Sequence, residues 1–481
     1  MADSQLKQRT VKTLKWNAID RVATQLLYAA VGIVLANILS KEDFGVVGII
    51  LAFQAFAIIF VDSGFGAALL QKKDPEETDY STVFWFNLTL CALVYAVLWF
   101  CAPLIADTFG DARLTLICRV QFVAFILQGL GIVQTNRLMK RMDVRQIAIA
   151  DTLGLVLSGC AAIVLAVKGF GVWALVWQYI LLAAIRTLWL WLTGKWMPRA
   201  VFSGAALRRI LPVGSSVFFS SFLNTLSLNL YTFVIGLADG LMSVGLYTQA
   251  DKWSKMGITT LSQTLTSTFL PLMSKVQDDR DGWTRYTTRV NRFTSMLTLP
   301  AMIGLAAVAA PLFHLFFGQK WDEAIILFQI LAVRGIFVVF ISVTNNYLVA
   351  AGKKRAIVAA EVIKDVLILG AVLATVWSGS LQLLVAGQMI ASALTWLLML
   401  PLAARSTGYG VRRSLDDLLP FLWPSLLMGG AVWAISLLAL PPWAILPLQL
   451  GTGIAVYGIL LIAGRHPELP ELLATVRKKR N

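Results

Sequence analysis

Histidine and cysteine are scarce in this 481-residue chain, and charged residues make up only 14% of it. The four cysteines lie in apolar stretches without CxxC spacing, so neither a disulfide framework nor a metal site is predicted. The two histidines, His314 and His466, fall near the outer end of a predicted helix and in the tail, and we expect no catalytic role for them. The predicted outer links are also too short for an extracytoplasmic domain. These absences argue against an enzyme, and no cofactor is expected.

Long apolar segments take up most of the chain instead. Fourteen segments between Trp16 and Gly464 are long enough to cross a bilayer, because a hydrocarbon core of roughly 30 Å needs about 20 helical residues. Lipid cannot satisfy bare backbone groups, so each crossing is expected to be a helix. No obvious cleavage site follows the basic first residues, and Trp16 to Ile38 is predicted to be a retained first helix. The fold class is therefore an all-α integral membrane protein with 14 transmembrane helices.

The net charge of +15 lies mostly on one side of these predicted helices. Among the lysines and arginines, only Lys41, Arg113, Lys168 and Lys320 fall in the predicted outer links. This distribution follows the positive-inside rule and predicts that both termini are cytoplasmic. It also indicates attraction to anionic inner-leaflet lipid, and no nucleic acid is expected as a partner.

An internal duplication is visible in the helix ends. The segment Ala102 to Gly110 has an Ala-Pro-Leu followed after four residues by Phe-Gly, and Ala310 to Gly318 repeats that pattern. Gly45 and Gly245 lie near the starts of the second and eighth predicted helices. Two parallel six-helix repeats are therefore predicted, as in transporters whose halves rock about a site near the midplane. The expected divisions are an N-terminal lobe at 1–200, a C-terminal lobe at 201–405, and two extra helices with a basic tail at 406–481. A channel or an inert scaffold is the alternative outcome of such a duplication.

Ionisable side chains inside predicted helices are the candidate site residues, because charge in lipid is costly unless it faces water or a partner. Basic side chains in a hydrated cavity suit an anion, and the arginine fork suits phosphate in particular. The candidate cations are Arg334, Lys252, Lys255, Arg119, Arg186 and Arg21. The candidate ion-coupling residues are Asp62, Asp151, Glu361, Asp365 and Lys364.

Several of these residues have a second interpretation from their spacing. Asp251 and Lys255 are four residues apart and predict a structural ion pair that leaves Lys252 for another role. Glu361, Lys364 and Asp365 are spaced either for a self-contained ion pair or for ion coupling. Asp62 precedes a predicted helix break and is alternatively a capping residue. Arg21 lies near the inner boundary, where long side chains reach the interface.

Four short stretches resemble motifs of one known family. They are FVDSGFGAALLQKK from Phe60 to Lys73, Gly245-Leu246-Tyr247 with Ala250, LPLMSKVQDD from Leu270 to Asp279, and FGQKW from Phe317 to Trp321. Their order and spacing resemble the Wzx-like polysaccharide flippases, which form the polysaccharide transporter family of the MOP superfamily. The similarity spans nearly the whole chain and is closest to the lipopolysaccharide and colanic-acid exporter branch.

This resemblance implies a function and its setting. The implied cargo is an undecaprenyl-diphosphate-linked oligosaccharide moved from the inner to the outer leaflet of the bacterial inner membrane by alternating access. A MOP/MATE-like two-lobed bundle, coupling to a proton or sodium gradient, contact with membrane lipids, and work beside polymerase and chain-length proteins are also implied. The chain is expected to function as a monomer. A MATE-like exporter of another amphiphile, or a membrane polysaccharide polymerase or ligase, is the alternative.

Overall fold

The computed structural model describes residues 24–62, 69, 72, 75–276, 279–438 and 440–464. Across these ranges it consists of α-helices with two short 3-10 helices, and the same ranges contain no strand. The predicted all-α fold is therefore confirmed. At a few further positions within helices, Asp62 among them, only the backbone is described.

Packing divides the chain into two units, Met1–Gly245 and Leu246–Asn481. The helices of the first unit are α1 Thr24–Ile38, α2 Lys41–Asp62, α3 Glu77–Phe109, α4 Arg113–Gln121, α5 Val123–Lys140, α6 Val144–Val167, α7 Val172–Gly194 and α8 Gly204–Ala238. Helix α9, Gly240–Lys275, begins in the first unit and continues in the second. The second unit then contains α10 Arg280–Ala307, α11 Ala309–Phe316, α12 Asp322–Ala350, α13 Lys354–Thr375, α14 Leu381–Thr407, α15 Val411–Ile435 and α16 Pro442–Ala463.

Local sequence determines where several of these helices begin and end. Helix α3 begins with a capping box in which the side chains of Glu76 and Asp79 each accept a backbone hydrogen bond at the other residue. Helix α14 begins where the Ser380 hydroxyl accepts from the backbone N–H of Leu383 at 3.4 Å. Gly110 ends α3 in the left-handed conformation, with φ of 69°, which glycine adopts without steric cost.

The described chain has ten helical segments long and apolar enough to cross a membrane, with α4 and α5 counted as one. The pair α10 and α11, bent by 59°, gives an eleventh. Three more helices fall short of this test. The described part of α1 is short, whereas α9 and α13 carry charged and hydroxyl side chains along their length. Many apolar helices are thus confirmed, and the predicted number of fourteen is not.

Close backbone packing in the first unit explains the two glycines noted in the sequence. A Cβ at Gly45 would lie 1.8 Å from the carbonyl oxygen of Leu241, and a Cβ at Gly245 would lie 2.0 Å from that of Lys41. The starts of α2 and α9 therefore meet through their backbones, and glycine alone fits there. Nearby, the fully buried rings of Phe122 and Phe125 stack with centroids 5.4 Å apart where α4 meets α5.

The duplication is also present in the turns of the two units. Gly110 after α3 and Gly318 after α11 have φ of 69° and 76°. Met142 between α5 and α6 has φ of 57°, and Gly352, 210 residues later between α12 and α13, has φ of 65°. Gly169 after α6 and Gly379 after α13 repeat the spacing, with φ of 83° and 62°. Positive φ at nearly constant spacing, in the links after corresponding helices, supports the predicted repeat.

The observed units differ from the expected lobe boundaries. Helix α8 follows residue 200 but packs against α2 and α3 of the first unit, with the rings of Phe53 and Phe233 at 4.9 Å and those of Phe56 and Phe222 at 5.5 Å. The compact division therefore falls at Gly245 instead of 200. Helix α15 packs against α10, and α16 packs against α15 and α11, within the second unit. The lobe boundaries remain a prediction about the repeat.

Candidate functional site

Arg334 lies in the middle of α12, in the second unit. Its Nε donates a hydrogen bond to the Ser392 hydroxyl of α14 at 3.2 Å, and its side chain is partly buried. Among the described residues, no carboxylate forms an ion pair with it. A guanidinium held in a helix bundle without an acid partner retains donors for an anion.

A chain of polar side chains holds the Ser392 hydroxyl in place. Ser392 donates to the backbone carbonyl of Gln388 at 3.0 Å, and the buried Gln388 amide donates to the Tyr247 hydroxyl of α9 at 3.2 Å. The chain joins α9, α12 and α14 within the second unit. Gly335 brings α12 close to α9, because a Cβ there would lie 2.6 Å from the Ile258 side chain. Arg334 is therefore positioned by packed helices and not by a mobile loop.

Lys252 and Lys255 of α9 have different neighbours. Lys255 forms an ion pair with Asp251 at 2.5 Å, four residues earlier, as their spacing predicts. Asp251 is buried, whereas the Lys255 side chain is 42% exposed. The Lys252 ammonium lies 5.2 Å from the ring centroid of Trp253. Lys252 thus extends along α9 beside an aromatic ring, in the same unit as Arg334.

Arg186 and Asp151, predicted for separate roles, contact each other in the first unit. The Arg186 Nε on α7 donates to the Asp151 carboxylate on α6 at 2.5 Å, and each side chain is about 30% exposed. Gly154 permits this approach, since a Cβ there would lie 3.3 Å from the Leu182 carbonyl oxygen. The pairing favours a structural role for both residues.

Arg119 lies at a different depth in its own helix from that of Arg334 in α12. It lies six residues into α4, whereas Arg334 lies twelve residues into α12. At about 1.5 Å per residue these positions are about 9 Å and about 18 Å from their helix starts. The Arg119 guanidinium stacks on the ring of Trp99 at 4.7 Å and its Nε donates to the Trp99 carbonyl at 3.4 Å. The two arginines are therefore not equivalent positions of the repeat.

The charged side chains of α13 pair with one another. Lys364 donates to the Glu361 carboxylate three residues earlier, and its ammonium lies 3.9 Å from Asp365. Glu361 follows Asp151 by 210 residues, the spacing of the turn repeat, yet Asp151 pairs across helices and Glu361 pairs within its own. Of the two interpretations of this cluster, the ion pair is present.

The remaining candidates are placed as follows. Arg21 lies outside the described residues, as does the side chain of Asp62. His466 also lies outside them, and His314 contacts Asp322 at 2.9 Å between α11 and the start of α12. Within the described ranges no group of three or more histidine, cysteine or acidic side chains could hold a metal ion.

Sequence reasoning missed an ion pair between a mostly buried arginine and a half-exposed glutamate in the first unit. The Arg137 side chain on α5 is only 10% exposed, and its Nη1 lies 3.0 Å from both carboxylate oxygens of Glu77 on α3. Its guanidinium stacks between Tyr80 and Trp196, at 4.9 and 5.1 Å from the ring centroids. The sequence did contain one signal for this ion pair, since Glu77 and Arg137 have opposite charges and both lie at the same predicted face of the membrane.

The second unit has a comparable cluster after α14. Tyr409 follows the left-handed Gly408 as Trp196 follows the left-handed Lys195. Its hydroxyl donates to the buried Asp417 of α15 and lies 2.8 Å from the Thr288 hydroxyl. Burial, followed by the hydrogen bond to Asp417, raises the pKa of the Tyr409 hydroxyl above its usual value. This phenol therefore stays protonated and fastens the α14–α15 link to α10.

Comparisons with known proteins agree with this fold. The chain is 26% identical to the succinoglycan biosynthesis transport protein ExoT of Rhizobium meliloti, over 98% of this chain and 96% of that protein. It is 26% identical to the lipopolysaccharide biosynthesis protein WzxC of Escherichia coli, over 69% and 68% of the two chains.

Two solved structures share the arrangement of helices. The lipid II flippase MurJ, in an inward closed conformation, matches with a TM-score of 0.78 and 15% identity, covering 93% of this chain and 98% of that one. An inward-facing multidrug resistance MATE transporter of the MOP superfamily matches with a TM-score of 0.61 and 18% identity, covering 80% and 96%. The predicted MOP/MATE-like fold is thus confirmed.

A family model described as "Polysaccharide biosynthesis protein" matches residues 34–326, which is more than half of the chain. The chain therefore belongs to this polysaccharide biosynthesis protein family.

Proposed function

We propose that the chain is a flippase that moves an undecaprenyl-diphosphate-linked oligosaccharide from the inner to the outer leaflet of the bacterial inner membrane. Family membership supports a role in polysaccharide biosynthesis, and the relatives include a transport protein for succinoglycan biosynthesis. The fold is that of a lipid II flippase. These similarities support a transporter and not an enzyme.

Arg334 carries this proposal. An uncompensated guanidinium inside a membrane protein is costly, so its presence calls for an anionic partner. A diphosphate is such a partner, and the two-pronged guanidinium matches its oxygens better than a single ammonium does. Ser392 uses one Arg334 donor and leaves the others available. Lys252 on α9 of the same unit supplies a second cation.

The physical task of a flippase explains this choice of residues. The lipid tail remains in hydrocarbon, but a charged and hydroxylated headgroup cannot cross hydrocarbon unaided. Cationic and polar groups exposed alternately to the two sides of the membrane would replace the water that the headgroup loses. Arg186 is engaged by Asp151, and Arg119 by the backbone and ring of Trp99, so we assign neither of them to the headgroup.

The setting and energy source belong to the same proposal. We propose that both termini lie in the cytoplasm and that the chain works as a monomer beside polymerase and chain-length proteins. A proton or sodium gradient resets the empty carrier through acids among Asp62, Asp151, Glu361 and Asp365. Because Asp151, Glu361 and Asp365 have cationic partners, Asp62 is the first of the four to test.

A MATE-like exporter is the alternative, since the fold is shared with a MATE transporter. A cationic drug would be repelled by Arg334, whereas an anionic headgroup is attracted. A drug-export assay with cationic dyes separates the two functions, because the flippase proposal expects no dye efflux above that of empty membranes.

Substitution of Arg334 tests the assignment. Loss of one charged hydrogen-bonding group is expected to lower headgroup affinity by about tenfold or more. Arg334→Ala should therefore lose flipping of labelled lipid-linked oligosaccharide, and Arg334→Lys should keep part of it. Arg113→Ala is the matched control, because Arg113 is exposed at the first residue of α4 and pairs with Asp111 in the preceding turn. Unchanged flipping by Arg334→Ala at normal protein levels would remove this residue from the mechanism.

A further inference from the structure

Helix α9 has an exposed polar face that the headgroup assignment does not use. Between residues 259 and 268, all of the exposed positions are hydroxyl or amide side chains, namely Thr259, Thr260, Gln263, Thr264, Ser267 and Thr268. They recur in pairs every four residues, so they share one face of the helix. Lys252 and Lys255 lie one to two turns earlier on that same face.

The exposed side chains of α13 differ from those of α9, and the difference indicates the environment of the polar face of α9. From residue 362 to 374 the exposed positions of α13 are all apolar, which is the composition expected against lipid tails; they are Val362, Val366, Leu369, Gly370, Leu373 and Ala374. The exposed hydroxyl and amide groups of α9 would find no hydrogen-bond partners among lipid tails, where unsatisfied polar groups are costly. We therefore expect the polar face of α9 to meet water or a polar ligand.

The hydrogen bonds of this face define the ligand chemistry. Thr260, Thr264 and Thr268 each donate to the backbone carbonyl four residues earlier, at 2.7 Å in every case. Their donors are thus used within the helix, and their oxygen lone pairs point outward as acceptors. Gln263 adds an amide that both donates and accepts. A row of neutral acceptors matches the hydroxyl groups of sugars, which are donors.

The length and charge of the face fit an oligosaccharide better than a diphosphate. From Thr260 to Thr268 the helix rises about 12 Å, longer than one phosphate group requires. The exposed positions in this stretch carry no charge. They would therefore contribute little to binding a diphosphate, whereas uncharged sugar rings could contact several of them in succession.

We propose that this face of α9 binds the sugar residues of the transported glycan, continuing from the cations that hold the diphosphate. The proposal rests on the flippase function and extends it by assigning a separate glycan-binding subsite. The hydroxyl oxygens accept hydrogen bonds from sugar hydroxyls without selecting one sugar strictly, because each threonine offers the same acceptor.

The test compares two probes on the full chain in lipid nanodiscs. One probe is a fluorescent polyprenyl diphosphate carrying an oligosaccharide, and the other is the same polyprenyl diphosphate without sugar. The variant T260V/T264V/T268V removes three hydroxyls while keeping β-branched side chains of similar size. Its matched control, T260S/T264S/T268S, keeps the hydroxyls. We expect the valine variant to bind the oligosaccharide probe about tenfold more weakly. Binding of the sugar-free probe should be unchanged in both variants.

The outcomes separate this subsite from the flippase function. Equal affinity of the valine variant and the natural chain for the oligosaccharide probe overturns the glycan subsite. Equal losses for both probes also overturn it, because the effect would not be specific to sugar. If the natural chain binds neither probe, the proposed function itself is contradicted. Arg334→Ala should weaken both probes, which distinguishes the diphosphate contact from the sugar contact.

Discussion

The ion pair between Asp151 and Arg186 gives a quantitative prediction about the first unit. The two groups join α6 to α7 at 2.5 Å, at a point where Gly154 lets the helices approach closely. Removing one partner leaves the other charge partly buried without compensation. We therefore expect Asp151→Leu and Arg186→Met each to destabilise the protein, and the double variant to recover most of the loss.

The magnitude follows from the burial of the pair. Breaking a fully buried ion pair costs about 3–5 kcal/mol, whereas an exposed pair contributes about 1 kcal/mol or less. Each side chain here is about 30% exposed, so an intermediate cost of about 2 kcal/mol is expected for each single variant. The double variant should lie within about 1 kcal/mol of the natural protein, because well-packed apolar groups replace a buried pair at little cost.

The assay is a double-mutant cycle on apparent unfolding free energies in detergent, with flipping measured on the same preparations. A coupling energy of about 3–4 kcal/mol, with flipping retained in D151L/R186M, supports a structural pair. Additive losses without coupling would refute the pairing. A stable double variant that no longer flips substrate would return Arg186 or Asp151 to the transport mechanism.

Two further predictions concern close packing and acidity. Gly45→Ala should prevent folding, because its Cβ would lie 1.8 Å from the Leu241 carbonyl oxygen, whereas Gly451→Ala, with open space around it, should express normally. At the outer α3–α4 turn, the hydrogen bond from Arg113 lowers the pKa of Asp111. Because the pKa of Asp111 is lower in the folded than in the unfolded state, its pairing with Arg113 stabilises the folded protein at neutral pH. This stabilisation is lost at acidic pH, below about 4, as pH falls through the pKa of Asp111 in the folded protein. Asp111→Asn should flatten that part of the stability–pH curve, and an unchanged curve would contradict the pairing.

Apolar length and local motifs were sufficient to predict the helical fold and its repeat. The Phe-Gly pairs at Gly110 and Gly318 marked helix ends because glycine adopts the positive φ found just after these two helices. The number of crossings was less certain, since α9 and α13 combine membrane-length helices with polar side chains. A hydropathy pattern alone cannot tell whether such a helix faces lipid or water.

Contacts between helices explain why the site was predicted less well than the fold. The Asp251–Lys255 pair follows from spacing within one helix, but the Arg186–Asp151 pair requires knowing which faces of α6 and α7 meet. Arg137 was overlooked because its partners, Glu77 and Trp196, come from distant parts of the sequence. The hydroxyl face of α9 could have been found, since its four-residue spacing is visible in the sequence.

The most direct test of the account is transport by the purified chain in liposomes. A fluorescent undecaprenyl-diphosphate-linked oligosaccharide is placed in one leaflet, and its appearance in the other is followed with a membrane-impermeant quencher. The account predicts rapid movement with the natural chain and movement at the protein-free rate with Arg334→Ala. Movement at the protein-free rate with the folded natural chain, under both proton and sodium gradients, would contradict the proposed function.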